Sequence, residues 1–228
     1  MRRIRPFAMI LQALRLSPLL ILGPTLAFAA GDFGTWHGVT VRALDIDRWS
    51  LTAMGQMRFR DNSSEPFTYL LGPQLAYRVS PCVQLGSNYT CLAVKPGGRQ
   101  DFVEQHRWEI EGNPRWAVSD WLTFDLRNRF ELAWTEGRSN TGERSRHRPQ
   151  ATIRTKGTGS LESLNFNNEI FYDYDAHRYN QNRFIPLGLN FRVNPHAVFS
   201  TYYMLWSVRG SREWLHSHVL GTQLSLTF

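Results

Sequence analysis

The sequence is poor in cysteine, in lysine and in long apolar runs. Two cysteines are too few for a small disulfide-built domain or a four-cysteine zinc site. Beyond residue 30 no apolar run reaches the roughly 18 residues of a membrane-spanning helix, which excludes a helical multispan membrane protein. Charged residues make up only 20% of the chain, but 42% hydrophobic residues are too many for a disordered protein. The 228 residues fit one compact domain.

Arginine supplies nearly all of the positive charge. Only Lys95 and Lys156 among the 26 basic residues are lysines, which indicates a need for fixed planar donors rather than for solubility. Four arginines fall in the leader described next, and without them the formal net charge drops from +7 to about +3. A charge of this size gives no support to nucleic-acid binding, and we expect no nucleic-acid partner.

The first 29 residues have the pattern of a cleavable secretory signal peptide. A basic start precedes a largely apolar stretch over 7–22, and residues 27–29 fit the small-x-small rule for cleavage before Ala30. Arg15 interrupts the apolar stretch and Pro24 would break a helix near its end, which argues against a membrane anchor. The sequence therefore predicts that the mature chain is exported from the cytoplasm.

From Trp49 to Phe228 the chain divides into segments that alternate apolar and polar side chains. A period of two predicts strands with one apolar and one polar face. The segments are longer than the 5 or 6 residues usual in soluble sheets and suffice to cross a bilayer. Tight turns also alternate with longer polar loops, as in outer-membrane barrels. We predict an all-β fold, a transmembrane antiparallel β-barrel of about ten strands over 49–228, with twelve possible.

The segment 30–48 fits this barrel less well than the rest. Counting back from a periplasmic C-terminus makes 35–44 a descending strand that starts outside the cell, whereas a secreted N-terminus should begin in the periplasm. We therefore expect residues 30–48 either to tuck into the lumen or to belong to a twelve-strand barrel with one further strand.

The last predicted strand resembles the C-terminal assembly signal of bacterial outer-membrane barrels, which ends in an aromatic residue. Its apolar row includes Leu224, Leu226 and terminal Phe228. The resemblance implies a location in the bacterial outer membrane. It also implies, as partners, the barrel-assembly machinery and outer-membrane lipid with lipopolysaccharide.

The mature chain as a whole is similar to a family of bacterial secreted proteins described only as a domain of unknown function. The resemblance is carried by four segments: Gln105-His106-Arg107-Trp108-Glu109, Asp125-Leu126-Arg127-Asn128-Arg129-Phe130-Glu131, Arg144-Ser145-Arg146-His147-Arg148 and Asn168-Glu169-Ile170-Phe171. It implies the barrel fold and supplies no activity.

Alternation places most arginines inside the predicted barrel, because an arginine facing lipid near the midplane would cost about 2–4 kcal/mol. The expected basic lining is Arg58, Arg60, Arg78, Arg107, Arg115, Arg127, Arg129, Arg144, Arg146, Arg148, Arg154, Lys156 and Arg192. The expected acidic lining is Glu109, Glu111, Asp125, Glu131, Glu169 and Asp173. The lumen is therefore expected to be strongly basic.

Cross-strand ion pairs account for part of this lining. Because like charges directly opposite destabilise a sheet, we expect a register that sets Arg107 opposite Glu131, Glu109 opposite Arg129 and Glu111 opposite Arg127. Carboxylates are scarce around seven of the other inward cations. Those cations are Arg58, Arg60, Arg144, Arg146, Arg148, Arg154 and Lys156.

The unpaired cations predict a basic funnel that draws anions inward. It is similar in style to the arginine-lined lumens of small monomeric porins for acidic oligosaccharides. The leading expectation is a narrow passive channel for small anions or acidic oligosaccharides. The alternative is a closed structural or lipopolysaccharide-binding barrel without transport, in which these arginines bind lipid phosphates or loop acids.

A lipid-acting enzyme is a further alternative. Ser145 and His147 share the outward face of one strand and Asn168 lies on the next, a faint resemblance to outer-membrane phospholipase. That family has His-x-Ser where this chain has Ser-x-His. His216 and His218 supply only two metal ligands, too few for a site. We therefore expect no enzyme activity, no catalytic residue, no cofactor and no metal.

The two cysteines occupy opposite ends of one predicted strand. At the rise of a strand, Cys82 and Cys91 lie about 30 Å apart, beyond the reach of a disulfide. We predict two free thiols.

Overall fold

The computed structural model describes residues 31–157 and 159–228. All regular elements in these residues are β-strands. This part of the chain contains no candidate membrane-spanning helix. The strands are β1 Asp32–Ile46, β2 Trp49–Arg60, β3 Glu65–Ser80, β4 Val83–Val94, β5 Val103–Ala117, β6 Leu122–Thr135, β7 Gly142–Arg154, β8 Leu161–Asp173, β9 Arg178–Asn194, β10 Ala197–Arg209 and β11 Trp214–Thr227. The predicted signal peptide lies outside the described residues.

The strands form one closed barrel in chain order, which confirms the predicted β-barrel. Consecutive strands pair antiparallel, and β1 closes the barrel by pairing parallel to β11, from Asp32 beside Ser217 to Arg42 beside Thr227. An up-and-down sheet with an odd number of strands has its first and last strands in the same direction, so closure requires one parallel pair.

The parallel seam answers the question of segment 30–48. Residues Asp32–Ile46 neither tuck into the lumen nor imply a twelfth strand. They form β1, a strand of the wall, which brings the number of strands to eleven. The prediction of ten or twelve strands assumed that closure is antiparallel throughout. Without that assumption, a strand that starts at the same end as β11 has a place in the barrel.

The two ends of the barrel differ in their connections. We call the end with 47–48, 81–82, 118–121, 155–157, 159–160, 195–196 and Phe228 the turn end. The opposite end, with connections 61–64, 95–102, 136–141, 174–177 and 210–213, is the loop end. The alternation of tight turns and longer loops found in the sequence therefore corresponds to the two ends of the barrel.

The side chains are distributed in the reverse of a water-soluble protein. Large apolar residues such as Leu71, Trp108 and Ile110 are exposed on the outer face, whereas Glu109, Glu131 and Arg146 are buried inside. This inversion follows the period of two in the sequence and is typical of barrels whose outer face meets hydrocarbon.

Two bulges interrupt the period and turn unexpected side chains inward. Between Arg58 and Phe59 the register with β3 shifts, and Phe67, which a strict period of two along β3 would place on the outer face, is buried and stacks on Trp206. On β9 an extra residue near Pro186 shifts the pairing with both neighbours, so that Arg183 and Arg192 both face the lumen although their numbers differ in parity.

Candidate functional site

The register of β5 and β6 differs from the expected one. Glu109 lies opposite Glu131, Glu111 opposite Arg129, and Arg107 opposite Ala133. The prediction that every glutamate would face an arginine across this hairpin is therefore wrong by two residues. Two buried carboxylates stand directly opposite each other, an arrangement that destabilises a sheet unless a cation joins them.

Arg146 of β7 supplies that cation. Its Nη1 lies 3.2 Å from Glu109 Oε1 and 3.1 Å from Glu131 Oε2, while its Nη2 lies 3.1 Å from Glu169 Oε1. One guanidinium thus bridges carboxylates of β5, β6 and β8. Its side chain is only 7% exposed. The expected pairing failed because it considered two adjacent strands, whereas a lumen lets a third strand reach across.

Other arginines complete this ion-pair network. Arg129 binds Glu109 at 2.8 Å and Glu111 at 2.6 Å, and Arg127 binds Glu169 at 2.6 Å. Arg144 donates to Glu131 through Nε at 2.7 Å, and Arg107 approaches the same carboxylate at 3.6 Å. The expectation that Arg144 and Arg146 lack carboxylate partners is therefore wrong.

Arg60 also has an acidic partner that the strand pattern did not reveal. Its Nε lies 2.7 Å from Glu65, which Lys95 approaches at 2.8 Å, and its Nη1 donates to the Lys95 carbonyl. Glu65 opens β3 directly after the connection 61–64. This trio lies at the loop end, above the buried network.

An aromatic cluster continues the network across the lumen. Trp36 meets Trp206 edge-on at 5.5 Å, and Phe67 stacks on Trp206 at 5.8 Å. Arg58 lies 4.1 Å and Arg183 4.9 Å from the ring centre of Trp36. Arg183 also lies 4.7 Å from the ring centre of Phe171. The paired glutamates on one wall are thereby connected to the aromatic residues on the other.

The network and the cluster together form what we call the lumenal layer. Every strand except β2 contributes a buried side chain to the interior, and β2 contributes Arg58, which covers Trp36. These buried side chains include Trp36, Thr68, Thr90, Glu109, Glu131, Arg146, Phe171, Gln181, Met204 and Val219. A wide aqueous passage would expose them, so the barrel is filled in its loop-end half.

A cavity of about 430 Å³ lies next to the layer on the side of the turn end. Its lining contains five guanidiniums and one carboxylate, those of Arg58, Arg127, Arg146, Arg148, Arg183 and Glu169. The remaining polar lining consists of the amides and the phenol of Gln56, Gln150, Asn165, Asn167, Asn190, Gln223 and Tyr202. Its lining therefore carries a net charge of +4 from these six groups.

Arg183 is the member of this cavity that sequence reasoning missed. Strict alternation from Arg192 places position 183 on the outer face, but the bulge on β9 returns it to the lumen. The available signal was Pro186, because a proline inside a strand often marks a bulge.

The other expected lining residues lie towards the ends of the barrel. Arg78 and Arg115 line a cavity of about 250 Å³ at the turn end, where Arg115 pairs with Asp125 at 3.3 Å. Arg192 pairs with Glu162, and Asp173 accepts hydrogen bonds from Ala176 and Asn180. Arg154 and Lys156 are exposed, and Lys156 lies beyond the end of β7.

The outer face brings together a different set from the one expected. His147 Nδ1 lies 2.8 Å from Asn128 Oδ1, whereas Asn168 accepts a hydrogen bond from Asn182. Cys82 and Cys91 are free, as predicted. Leu224 and Phe228 of the expected assembly signal are exposed on the outside. Residues 31–157 and 159–228 contain no group of three or more side chains suited to hold a metal ion.

Comparison with known proteins gives one family. The model of the family described as "Protein of unknown function (DUF2490)" matches residues 33–216, most of the chain and nearly all of the barrel. No curated protein matches the sequence.

Proposed function

The chain belongs to the DUF2490 family of proteins of unknown function, and from that premise we propose that it is an outer-membrane barrel closed to free diffusion. The membrane location is supported by the exposed apolar outer face. It is also supported by strands of 12 to 17 residues, which exceed the roughly 9–11 residues of a membrane-crossing strand.

Aromatic residues near both ends support the same location. Trp49, Trp116 and Trp121 are exposed near the turn end. Phe102, Trp134, Tyr174 and Tyr179 are exposed near the loop end. Two such girdles are typical of barrels that span a bilayer, because amphipathic rings favour the level of the lipid headgroups.

The bridging of three glutamates by Arg146 is the observation that carries the closed-lumen proposal. A passive anion channel needs guanidiniums that face water, as in the funnel expected from the sequence. Here Arg146 is 7% exposed, and each glutamate in the layer is already bound to a guanidinium. The charges of the layer thus favour a braced interior over a conducting one.

Conductance in a planar bilayer tests this proposal. We expect the purified wild-type barrel to give no steady conductance. The variant Trp36→Ala/Trp206→Ala should conduct, because it removes the two rings that close one side of the layer. A current through this variant would show that the purified barrel inserts into the bilayer. Trp108→Ala, which alters the outer face, is the matched control and should stay silent. A steady, anion-selective wild-type current would overturn the closed-barrel proposal in favour of the channel.

A lipid-acting enzyme is the second candidate, favoured by the hydrogen bond between His147 and Asn128. Ser145 lies two residues from His147 in an outer groove of about 600 Å³. In this candidate His147 acts as base for the Ser145 hydroxyl. Phospholipid hydrolysis in mixed micelles tests it. Ser145→Ala should abolish turnover, whereas Ser207→Ala, a serine paired with His216, should not. Equal turnover in both variants would exclude this candidate.

A further inference from the structure

We infer that the 430 Å³ cavity beneath the lumenal layer binds a small oxyanion with two or more negative charges, carried on phosphate or carboxylate groups. The inference rests on the proposed closed barrel, because the layer makes the cavity a blind pocket towards the loop end. Entry is then from the turn end. The amides Gln150, Asn190 and Gln223 extend the lining in that direction.

The cavity has an excess of positive charge. The glutamates of the interior each have guanidinium partners: Glu109 and Glu111 bind Arg129, Glu131 binds Arg144, and Glu169 binds Arg127. Arg58 and Arg148 also face the cavity, and neither forms an ion pair within the described residues. Five guanidiniums against one carboxylate give this confined space a positive potential that attracts an anion.

Arg127 and Arg148 bring two of these guanidiniums side by side. They are direct cross-strand neighbours on β6 and β7, a pairing of like charges that destabilises a sheet. The Nε atoms of both residues are buried and have no hydrogen-bond partner. Arg127 has Glu169 as one partner, whereas Arg148 has no acidic partner in the described chain. An oxyanion held in the cavity beside these two guanidiniums would offset the repulsion between them.

Two of the guanidiniums, those of Arg58 and Arg183, are held in place by neighbouring side chains without a ligand. Arg58 and Arg183 lie over the Trp36 ring, and Arg58 donates to Gln56 at 2.6 Å. Arg183 Nε lies 2.8 Å from the Gln181 amide oxygen in the orientation that satisfies both groups. Planar forks fixed in this way match the two oxygens of a phosphate or carboxylate. Pre-ordering also lowers the entropy lost on binding.

The size of the cavity and its neutral lining residues also suit a small ligand. Small-molecule pockets usually span about 300–1,000 Å³, and this one lies in that range. Its amides and the Tyr202 hydroxyl offer both donors and acceptors. The structure therefore suits a compact polyanion whose body carries polar groups, and not a bare chloride ion or an apolar acid.

Titration calorimetry on the full-length, detergent-solubilised barrel at low salt tests the site, with pyrophosphate and citrate as separate probes. We expect one probe ion bound per barrel. Arg148→Gln should weaken binding at least tenfold, because it removes a lining guanidinium that has neither an ion pair nor a hydrogen bond within the described residues. Arg148→Lys keeps the charge but loses the fork, and should weaken binding less. Arg154→Gln, on the same strand but exposed and outside the cavity, should bind like wild type.

The outcomes separate this inference from the proposed function. Binding of pyrophosphate alone assigns the site to phosphate groups, and binding of citrate alone assigns it to carboxylates. Absence of heat with both probes overturns the inference. So does an equal loss in Arg154→Gln and Arg148→Gln, which would indicate diffuse charge attraction. A conducting wild type would overturn the closed lumen while the calorimetric result still decides the site.

Discussion

Replacement of Arg146 by glutamine removes the charge that three buried carboxylates share. Each carboxylate keeps another guanidinium: Glu109 keeps Arg129, Glu131 keeps Arg144, and Glu169 keeps Arg127. Loss of one partner from a buried pair costs roughly 3–5 kcal/mol. Because partial compensation remains, we expect Arg146→Gln to lower the free energy of unfolding by about 3 kcal/mol, the lower end of that range.

Urea titration of the barrel in lipid vesicles measures this loss, with tryptophan fluorescence reporting unfolding. Arg154→Gln is the matched control: it removes the same charge from the same strand at an exposed position, and should change the free energy of unfolding by no more than about 0.5 kcal/mol. Arg146→Lys should fall between the two, since an ammonium keeps the charge but lacks the planar fork that reaches several carboxylates.

A double variant identifies the cause of the destabilisation. If the cost arises from uncompensated carboxylates, Arg146→Gln/Glu169→Gln should be more stable than the sum of the single variants predicts, with a coupling of at least about 1 kcal/mol. A loss below about 1 kcal/mol in Arg146→Gln, the range of an exposed ion pair, would refute the reasoning. It would mean that water reaches the network.

Three further predictions concern the wall of the barrel. In a variant with Cys82 and Cys91 replaced by serine, Thr40→Cys/Ser225→Cys should form a disulfide on mild oxidation, because the two hydroxyls lie 3.0 Å apart across the parallel seam; failure to cross-link in the folded barrel would contradict that closure. Deletion of Phe228 or Phe228→Asp should sharply reduce the yield of heat-modifiable barrel in membranes, and normal yields would show that the terminal aromatic is not an assembly signal. In the unreduced wild-type protein both thiols should react with a maleimide after detergent extraction, since both are free and exposed. Mass spectrometry of the labelled chain after unfolding counts the adducts, and fewer than two would contradict this prediction.

The barrel itself could be predicted from sequence because its cause is local. In such a barrel each strand presents apolar side chains outward and polar ones inward, so apolar and polar residues alternate along the sequence of the strand. The limits are also local. The extra residues at Phe67 and near Pro186 each reverse the parity of a strand, so a strict count places Phe67 outside and overlooks Arg183.

The strand count and the register depend on contacts that no single hairpin contains. Whether β1 can close the barrel depends on β11, which lies at the other end of the chain. In the same way, Glu109 can oppose Glu131 only because Arg146 arrives from β7. A rule for two paired strands rejects this register, since it treats the third strand as absent.

The scarcity of lysine follows from what the interior demands of its cations. Arg146 binds three carboxylates and lies 4.8 Å from the ring centre of Phe171, and Arg183 lies against two rings. A planar, delocalised cation can stack and donate in several directions at once, whereas an ammonium is a compact and strongly hydrated point charge. A conducting funnel and a braced lumen both favour arginine, so composition alone does not separate them. The positions of the glutamates separate the two. Where a buried guanidinium of the layer has a carboxylate within reach, the ion pair stabilises the barrel wall and the guanidinium no longer attracts solutes. Arg58 and Arg148, which form no ion pair within the described residues, are where attraction for a solute remains.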